Sequence, residues 1–230
     1  MTKLFSSLQY LRRVCVLIAG LFLFSTGSIV IYRSDLGLGA WDVFHQGLSL
    51  HTPLSYGQAT IVVGATIIVL GLFLKIKPGV GTLLNMLLVG LFRDWLLATR
   101  WLHDLGTASL WLRLLTNGMG VFVVGLGTAL YILPSLGAGP RDGLMLRLHT
   151  LTKMRIAFVR VALDLSALIV GFFLGGPIGI GTLIFALGLG PSVEATLWLT
   201  RRYLLWLVPA PPKPTTPVFP AESPVPVPLD

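Results

Sequence analysis

Arg160 and Asp164 stand four residues apart inside an apolar stretch at residues 157–174, one helical turn from each other and able to pair. Ionisable side chains in such a stretch are costly and by default mark a solute pathway or a proton relay, with a satisfied structural pair as the competing reading. Asp42 and Asp142 form a second set. Each closes a glycine-rich motif, Leu36-Gly37-Leu38-Gly39-Ala40-Trp41-Asp42 and Leu136-Gly137-Ala138-Gly139-Pro140-Arg141-Asp142. Gly37, Gly39, Gly137 and Gly139 permit tight turns, and short amphipathic stretches follow at residues 43–50 and 144–150. An aspartate there caps free backbone donors and suits the positive end of a helix. Alternatively the segments are broken or re-entrant elements, whose free backbone groups are tolerated at membrane depth only beside protein or a watery cavity. On that second reading the four glycines, Asp42, Arg141, Asp142, Arg160 and Asp164 are the substrate-path candidates.

A third set is Gly79-Val80-Gly81-Thr82 and Gly179-Ile180-Gly181-Thr182, following Pro78 and Pro177. Small residues there allow close helix contact and the threonines can bond backbone or a ligand, so Gly79, Gly81, Thr82, Gly179, Gly181 and Thr182 serve packing or the path. Asp94 and Glu194 occupy matching positions, with Arg93 adjacent to the first; these read as interfacial ion pairing or snorkelling. Enzyme chemistry lacks a candidate. His45, His51, His103 and His149 form no metal-binding pattern, Cys15 is the single cysteine, and no Gly-x-Ser-x-Gly elbow is present. The Gly-x-Gly pairs lack the third glycine and the preceding strand of a nucleotide site. The expectation is no catalytic residue, no metal, no cofactor and no enzyme activity.

The elements that position these residues follow from composition. At 54% hydrophobic, 11% charged and a mean hydropathy of +0.85, the 230-residue chain has too little polar surface to coat a water-soluble globule. The formal charge of +8 is dispersed in short groups between apolar runs, without the basic face that nucleic acid requires. Six runs are long enough to cross a bilayer as helices, at residues 14–32, 56–74, 80–98, 117–134, 157–174 and 178–200. With the amino terminus in the cytoplasm, thirteen of the seventeen Lys and Arg residues fall inside, leaving Arg33, Arg93, Arg100 and Arg113 outside. Both termini are therefore expected in the cytoplasm. Residues 101–115, with Trp101 and Trp111, read as a short interfacial helix. Nine of the fifteen prolines lie after residue 208, a composition that cannot hold regular structure. The expected organisation is a cytoplasmic N-terminus (1–13), a first membrane repeat (14–98), an external interfacial connection (99–116), a second repeat (117–200) and a disordered cytoplasmic tail (201–230).

The repeat is visible when the chain is laid on itself with an offset of one hundred residues. Both glycine motifs then match in order and spacing, and Gly27 with Gly127, Gly71 with Gly171 and Gly90 with Gly190 keep the register. Three spans per unit is an odd number, so the second copy must enter the membrane from the opposite side. The expected fold is thus an all-α membrane protein of six transmembrane helices in two inverted three-helix repeats, with short interfacial or re-entrant helices. Such halves recur in secondary transporters, with the site near the midplane between them.

The motifs from Leu36, from Pro78 and from Leu136 through Gly143 together resemble the YczE-like members of the YczE/YyaS/YitT family of bacterial integral membrane proteins, over roughly residues 12–200. Ala40 stands where the family's first motif is expected to carry Pro. The resemblance implies a multi-pass protein of the bacterial cytoplasmic (inner) membrane and supplies no settled substrate. The residues themselves suggest a small secondary transporter or permease, an exporter among the options, for an unidentified small anionic or zwitterionic solute. The expected partners are the lipid bilayer and that solute, with homo-oligomers open and no nucleic acid. The alternative is a non-transporting accessory protein that supports another membrane or biosynthetic complex.

Overall fold

The computed structural model describes residues 2–100 and 102–203. The proline-rich tail with Trp206 and Lys213, and Trp101, lie outside the described residues. Eight α-helices and one 3-10 helix, with no strand among the described residues, run in the order α1 (Thr2–Ser34), α2 (Ala40–His51), α3 (Tyr56–Phe73), α4 (Val80–Ala98), the 3-10 helix (His103–Thr107), α5 (Leu110–Ile132), α6 (Pro140–Thr152), α7 (Ile156–Phe173) and α8 (Ile180–Tyr203). Six of them are long and apolar enough to cross a membrane: Leu8–Ser34, Tyr56–Phe73, Val80–Ala98, Leu110–Ile132, Ile156–Phe173 and Ile180–Thr200. Their outward faces carry large exposed apolar side chains such as Phe73, Trp111, Phe158, Phe173 and Leu187. Helices apolar all round and exposed on one side are what a lipid environment demands.

Two local readings change. The expected interfacial helix at residues 101–115 is a 3-10 helix at His103–Thr107 followed by the start of α5 at Leu110. Leu110, Trp111 and Leu112 continue the apolar run of α5 without a breaker, so nothing ends a helix before it. α1 likewise starts well before the first apolar run, because Arg12 and Arg13 are good helix formers and do not stop it.

The centre is the contact of α1 with α5. Gly20 lies against Gly127 and Tyr131, Gly27 against Gly120 and Val124, and Asn117 Nδ2 donates to Ser34 Oγ at 2.9 Å, so the two helices run antiparallel. Lipid tails offer helices no hydrophobic drive to associate, and small residues that let backbones approach supply dispersion contacts instead. On either side of this pair, α4 packs on α1 and α8 on α5. Leu17, Leu21, Val89 and Tyr131 form one core cluster, and Ile31, Val43, Val121, Val124 and Leu189 belong to another.

The turns after α1 and α5 cross-brace the molecule. Gly181 N donates to Leu36 O at 2.7 Å, and Gly81 N donates to Leu136 O at 2.9 Å. Each glycine motif thus binds the helix start of the other half. Thr82 Oγ1 donates to Ala138 O at 2.6 Å and accepts from Gly79 N, while Thr182 Oγ1 accepts from Gly179 N. Gly37 and Gly137 take φ of +106° and +133°, a backbone region that side chains disfavour, and a Cβ on either would also collide with the crossing strand of chain. The short helices continue the exchange, α2 packing on α7 and α6 on α3.

Candidate functional site

α2 begins after Gly39 with no side-chain cap. Its first-turn residue Asp42 does not cap the helix, contrary to the simplest reading of the motif. The carboxylate is drawn away by stronger partners: Arg93 Nη2 lies 2.7 Å from Oδ1, and Ser28 Oγ donates to Oδ2 at 3.1 Å. His45, one turn on and on the same face, brings Nδ1 to 3.5 Å from the same carboxylate. Ser28 is six residues before the end of α1, which sets Asp42 about 9 Å below that end at 1.5 Å rise per residue.

Arg93 is the largest correction to the sequence reading. It is not an interfacial side chain beside Asp94 but is 2% exposed, buried where α4 meets α1, α2 and α3. Nη1 donates to Thr60 Oγ1 at 2.9 Å, and the guanidinium stacks over the rings of Tyr56 at 5.0 Å and Phe24 at 5.9 Å. Asp94, its sequence neighbour, points elsewhere, accepting from Gly57 N at 2.8 Å and from Ser55 Oγ at the start of α3. Adjacent residues on a helix do not face each other. The available signal was Arg93's place on the face of Val89, Gly90 and Leu96, all buried. Losing one partner of so enclosed a pair costs about 3–5 kcal/mol, because the other charge is left uncompensated.

A second cluster gathers around α6 and α7. Tyr131 Oη donates to Asp142 Oδ2 at 3.1 Å, and Arg141 Nε lies 3.8 Å from Asp142 Oδ1. Trp41 Nε1 reaches from α2 to donate to Asp164 Oδ1 at 2.8 Å, while Arg160 Nε sits 3.8 Å from Asp164 Oδ2. A shallow hollow of about 230 Å³, counted with the open space at its mouth, lies among Trp41, Arg141, Met145, Arg160, Leu163 and Asp164. Arg160 and Asp164 are 50% and 38% exposed, so this pair is far wetter than Asp42 with Arg93.

The two clusters face one cavity of about 590 Å³, counted with its mouth. Asp42, His45, Thr60 and Arg93 line one side, and Tyr131, Gly139, Arg141 and Asp142 another. Between them stand Val63, Ile67, Met86 and Val89, with Asn85 as an added polar group. Of the sequence candidates, Gly139, Asp42, Arg141 and Asp142 line this cavity, Arg160 and Asp164 line the adjoining hollow, and Gly37, Gly137, Gly79, Gly81, Thr82, Gly179, Gly181 and Thr182 build the crossed turns. Sequence reasoning missed His45, Asn85, Arg93 and Tyr131. Among the described residues no group of three or more His, Cys, Asp or Glu side chains could hold a metal ion. Chemically the arrangement offers paired opposite charges around a small, largely apolar space.

Residues 11–197 match a family of unknown function, DUF6198. An uncharacterized protein of Haemophilus influenzae is 34% identical over 194 residues, 84% of this chain and 87% of that one. The uncharacterized membrane protein YczE of Bacillus subtilis is 36% identical over 181 residues, 78% of this chain and 82% of its own length. The uncharacterized protein YyaS of the same organism is 28% identical over 188 residues, covering 81% and 92%. No solved structure matches the chain.

Proposed function

The chain belongs to the DUF6198 family as a YczE-like multi-pass membrane protein, and from that premise we propose that it is a small secondary transporter or permease. The carrying observation is the cavity between the halves, with Asp42 and Arg93 on one side and Arg141 and Asp142 on the other. Charges are expensive at membrane depth and are kept there where a solute or ion must pass. The reading treats the chain as a carrier and assigns it no reaction.

Alternating access needs two halves of opposite orientation. The sequence repeat and the antiparallel run of α1 against α5 support that arrangement. The depth of Asp42 beside Ser28 supports a re-entrant α2. With the positive-inside bias, α2 belongs to the outer side, α6 to the inner side of the cytoplasmic membrane, and both termini to the cytoplasm. The cavity then lies at mid-depth, where inverted-repeat carriers hold their solute.

The test is flux. Full-length protein in proteoliposomes should move at least one solute from a panel of amino acids, organic acids, amines and inorganic anions, and Arg93→Met should abolish that movement. A panel with no flux above empty liposomes sinks the reading. Topology is tested separately in a Cys15→Ser background, with single cysteines replacing Thr52 and Thr152 and a membrane-impermeant thiol reagent. The two should label from opposite faces; labelling from one face would leave no inverted halves to alternate.

A further inference from the structure

The two sides of the cavity differ in how completely their charges are satisfied. Asp42 and Arg93 meet at 2.7 Å and are held further by Ser28 and Thr60; Arg93 Nε keeps no hydrogen-bond partner among the described residues, but the charges of this pair are already met by each other. Arg141 is not so matched. It makes no hydrogen bond to any described residue, and its ion contact with Asp142, at 3.8 Å, is too long for one. Among the described residues, Asp142 in turn accepts from Tyr131 alone and keeps acceptor capacity. Both side chains are about a third exposed, at 31% and 32%, and both line the cavity. A donor fork and an acceptor thus stand side by side, each short of partners.

The charge balance narrows what can fill them. The cavity is lined by two aspartates and two arginines, a formal sum of zero, and the adjoining hollow adds one more of each sign in Arg160 and Asp164. A singly charged solute would leave one net charge at membrane depth, whereas a net-neutral one would not. The rest of the wall is aliphatic, with Val63, Ile67, Met86 and Val89 suited to a hydrocarbon group. We infer that the solute is a small zwitterion whose carboxylate and ammonium sit close together on a short aliphatic body, the carboxylate on Arg141 and the ammonium on Asp142. Carboxylate recognition by a guanidinium fork is bidentate, which fixes the solute's orientation and turns its aliphatic part to the apolar wall. The inference rests on the transport reading above and specifies its solute class.

Three probes that share a 3-methylbutyl body decide it: leucine, isocaproate (the amine removed) and isoamylamine (the carboxylate removed). With the purified full-length chain in detergent, leucine should bind at least roughly tenfold more tightly than either singly charged analogue, since each lacks one charge-assisted contact. Arg141→Gln should shift the preference to isoamylamine, and Asp142→Asn should shift it to isocaproate. The wild-type series stands even where a variant fails to fold. Isocaproate binding as tightly as leucine would overturn the inference in favour of an anion site, and so would absence of binding by all three. Proteoliposomes separate the two levels: flux of a singly charged solute without leucine binding removes only the zwitterion, whereas no flux of any solute removes the transporter.

Discussion

α3 lies against α4, whereas α7 and α8, their equivalents in the second half, have no comparable contact. Gly57 and Gly90 bring the first pair together backbone to backbone, Met86 fills the space over Gly64, Asp94 binds the start of α3, and Arg93 ties Thr60 to Asp42. In the second pair Ala157 replaces Gly57, Val193 replaces Arg93, and Gly190 has no atom within 4 Å of where a Cβ would stand. α8 also carries Pro191 where α4 has Leu91, which removes a backbone donor and crowds the preceding turn. The apolar window of α3 is 44% buried and that of α7 only 17%. Near-identical glycine frames thus hold one pair locked around an enclosed charge and leave the other apart around an exposed one. The frame sets the fold, and a few polar substitutions set which side is closed.

The sharpest way to break this contrast is to remove the charge on each side. Arg93→Met leaves the Asp42 carboxylate enclosed with Ser28 and His45 and no cation in contact among the described residues, and should destabilise the protein in detergent by about 3–5 kcal/mol. Arg160→Met removes a half-exposed partner 3.8 Å from Asp164 and should cost no more than about 1 kcal/mol. Thermal unfolding of the two variants side by side measures the difference. Equal losses would mean that enclosure does not distinguish the two pairs.

The glycines give the next largest effect. A Cβ on Gly90 would run into the Gly57 carbonyl and the Ile61 side chain, so Gly90→Val should cost about 1–3 kcal/mol through forced separation of α3 and α4. Gly190→Val meets open space and removes a flexible residue from a helix, so it should be neutral or mildly stabilising. A large loss in Gly190→Val would indicate that α7 and α8 close on each other, and the contrast between halves would disappear.

The spans were legible because each is a predominantly apolar run of membrane-crossing length with few charges, and α4 begins and ends at the residues the hydropathy gives, Val80 and Ala98. The family was legible from the glycine motifs, which carry backbone requirements a substituted residue cannot meet. The site was legible only in part. Asp42 and Asp142 stood out through the repeat, but a repeat comparison hides what one half alone possesses: Arg93 faces Val193, Asn85 faces Phe185, His45 faces Met145 and Tyr131 faces Ile31. Their partners are also remote, Arg93 meeting a carboxylate 51 positions earlier across a helix interface. Periodicity places a residue on a face; it does not say which helix will cover that face. Conversely, Arg160 and Asp164 drew notice because their pairing is local, and the fold leaves that pair loose.

Trp41 offers the smallest and most discriminating change, because it joins α2 of the first half to α7 of the second. Its indole donates to Asp164 at 2.8 Å, a shorter contact than Arg160 makes with the same carboxylate at 3.8 Å. Trp41→Phe keeps much of the ring and loses the donor, so it should cost about 1 kcal/mol, below the usual range for a hydrogen bond to a charged group because Asp164 is 38% exposed. Arg160→Gln, which keeps the helix and the stem but not the charge, should cost less than Trp41→Phe, within about 0.5 kcal/mol of the parent. The expected order in thermal unfolding is therefore parent, Arg160→Gln, Trp41→Phe. If Arg160→Gln proved the more damaging, the local ion pair and not the crossing from α2 would hold Asp164, and the open side of the molecule would be stabilised from within its own half.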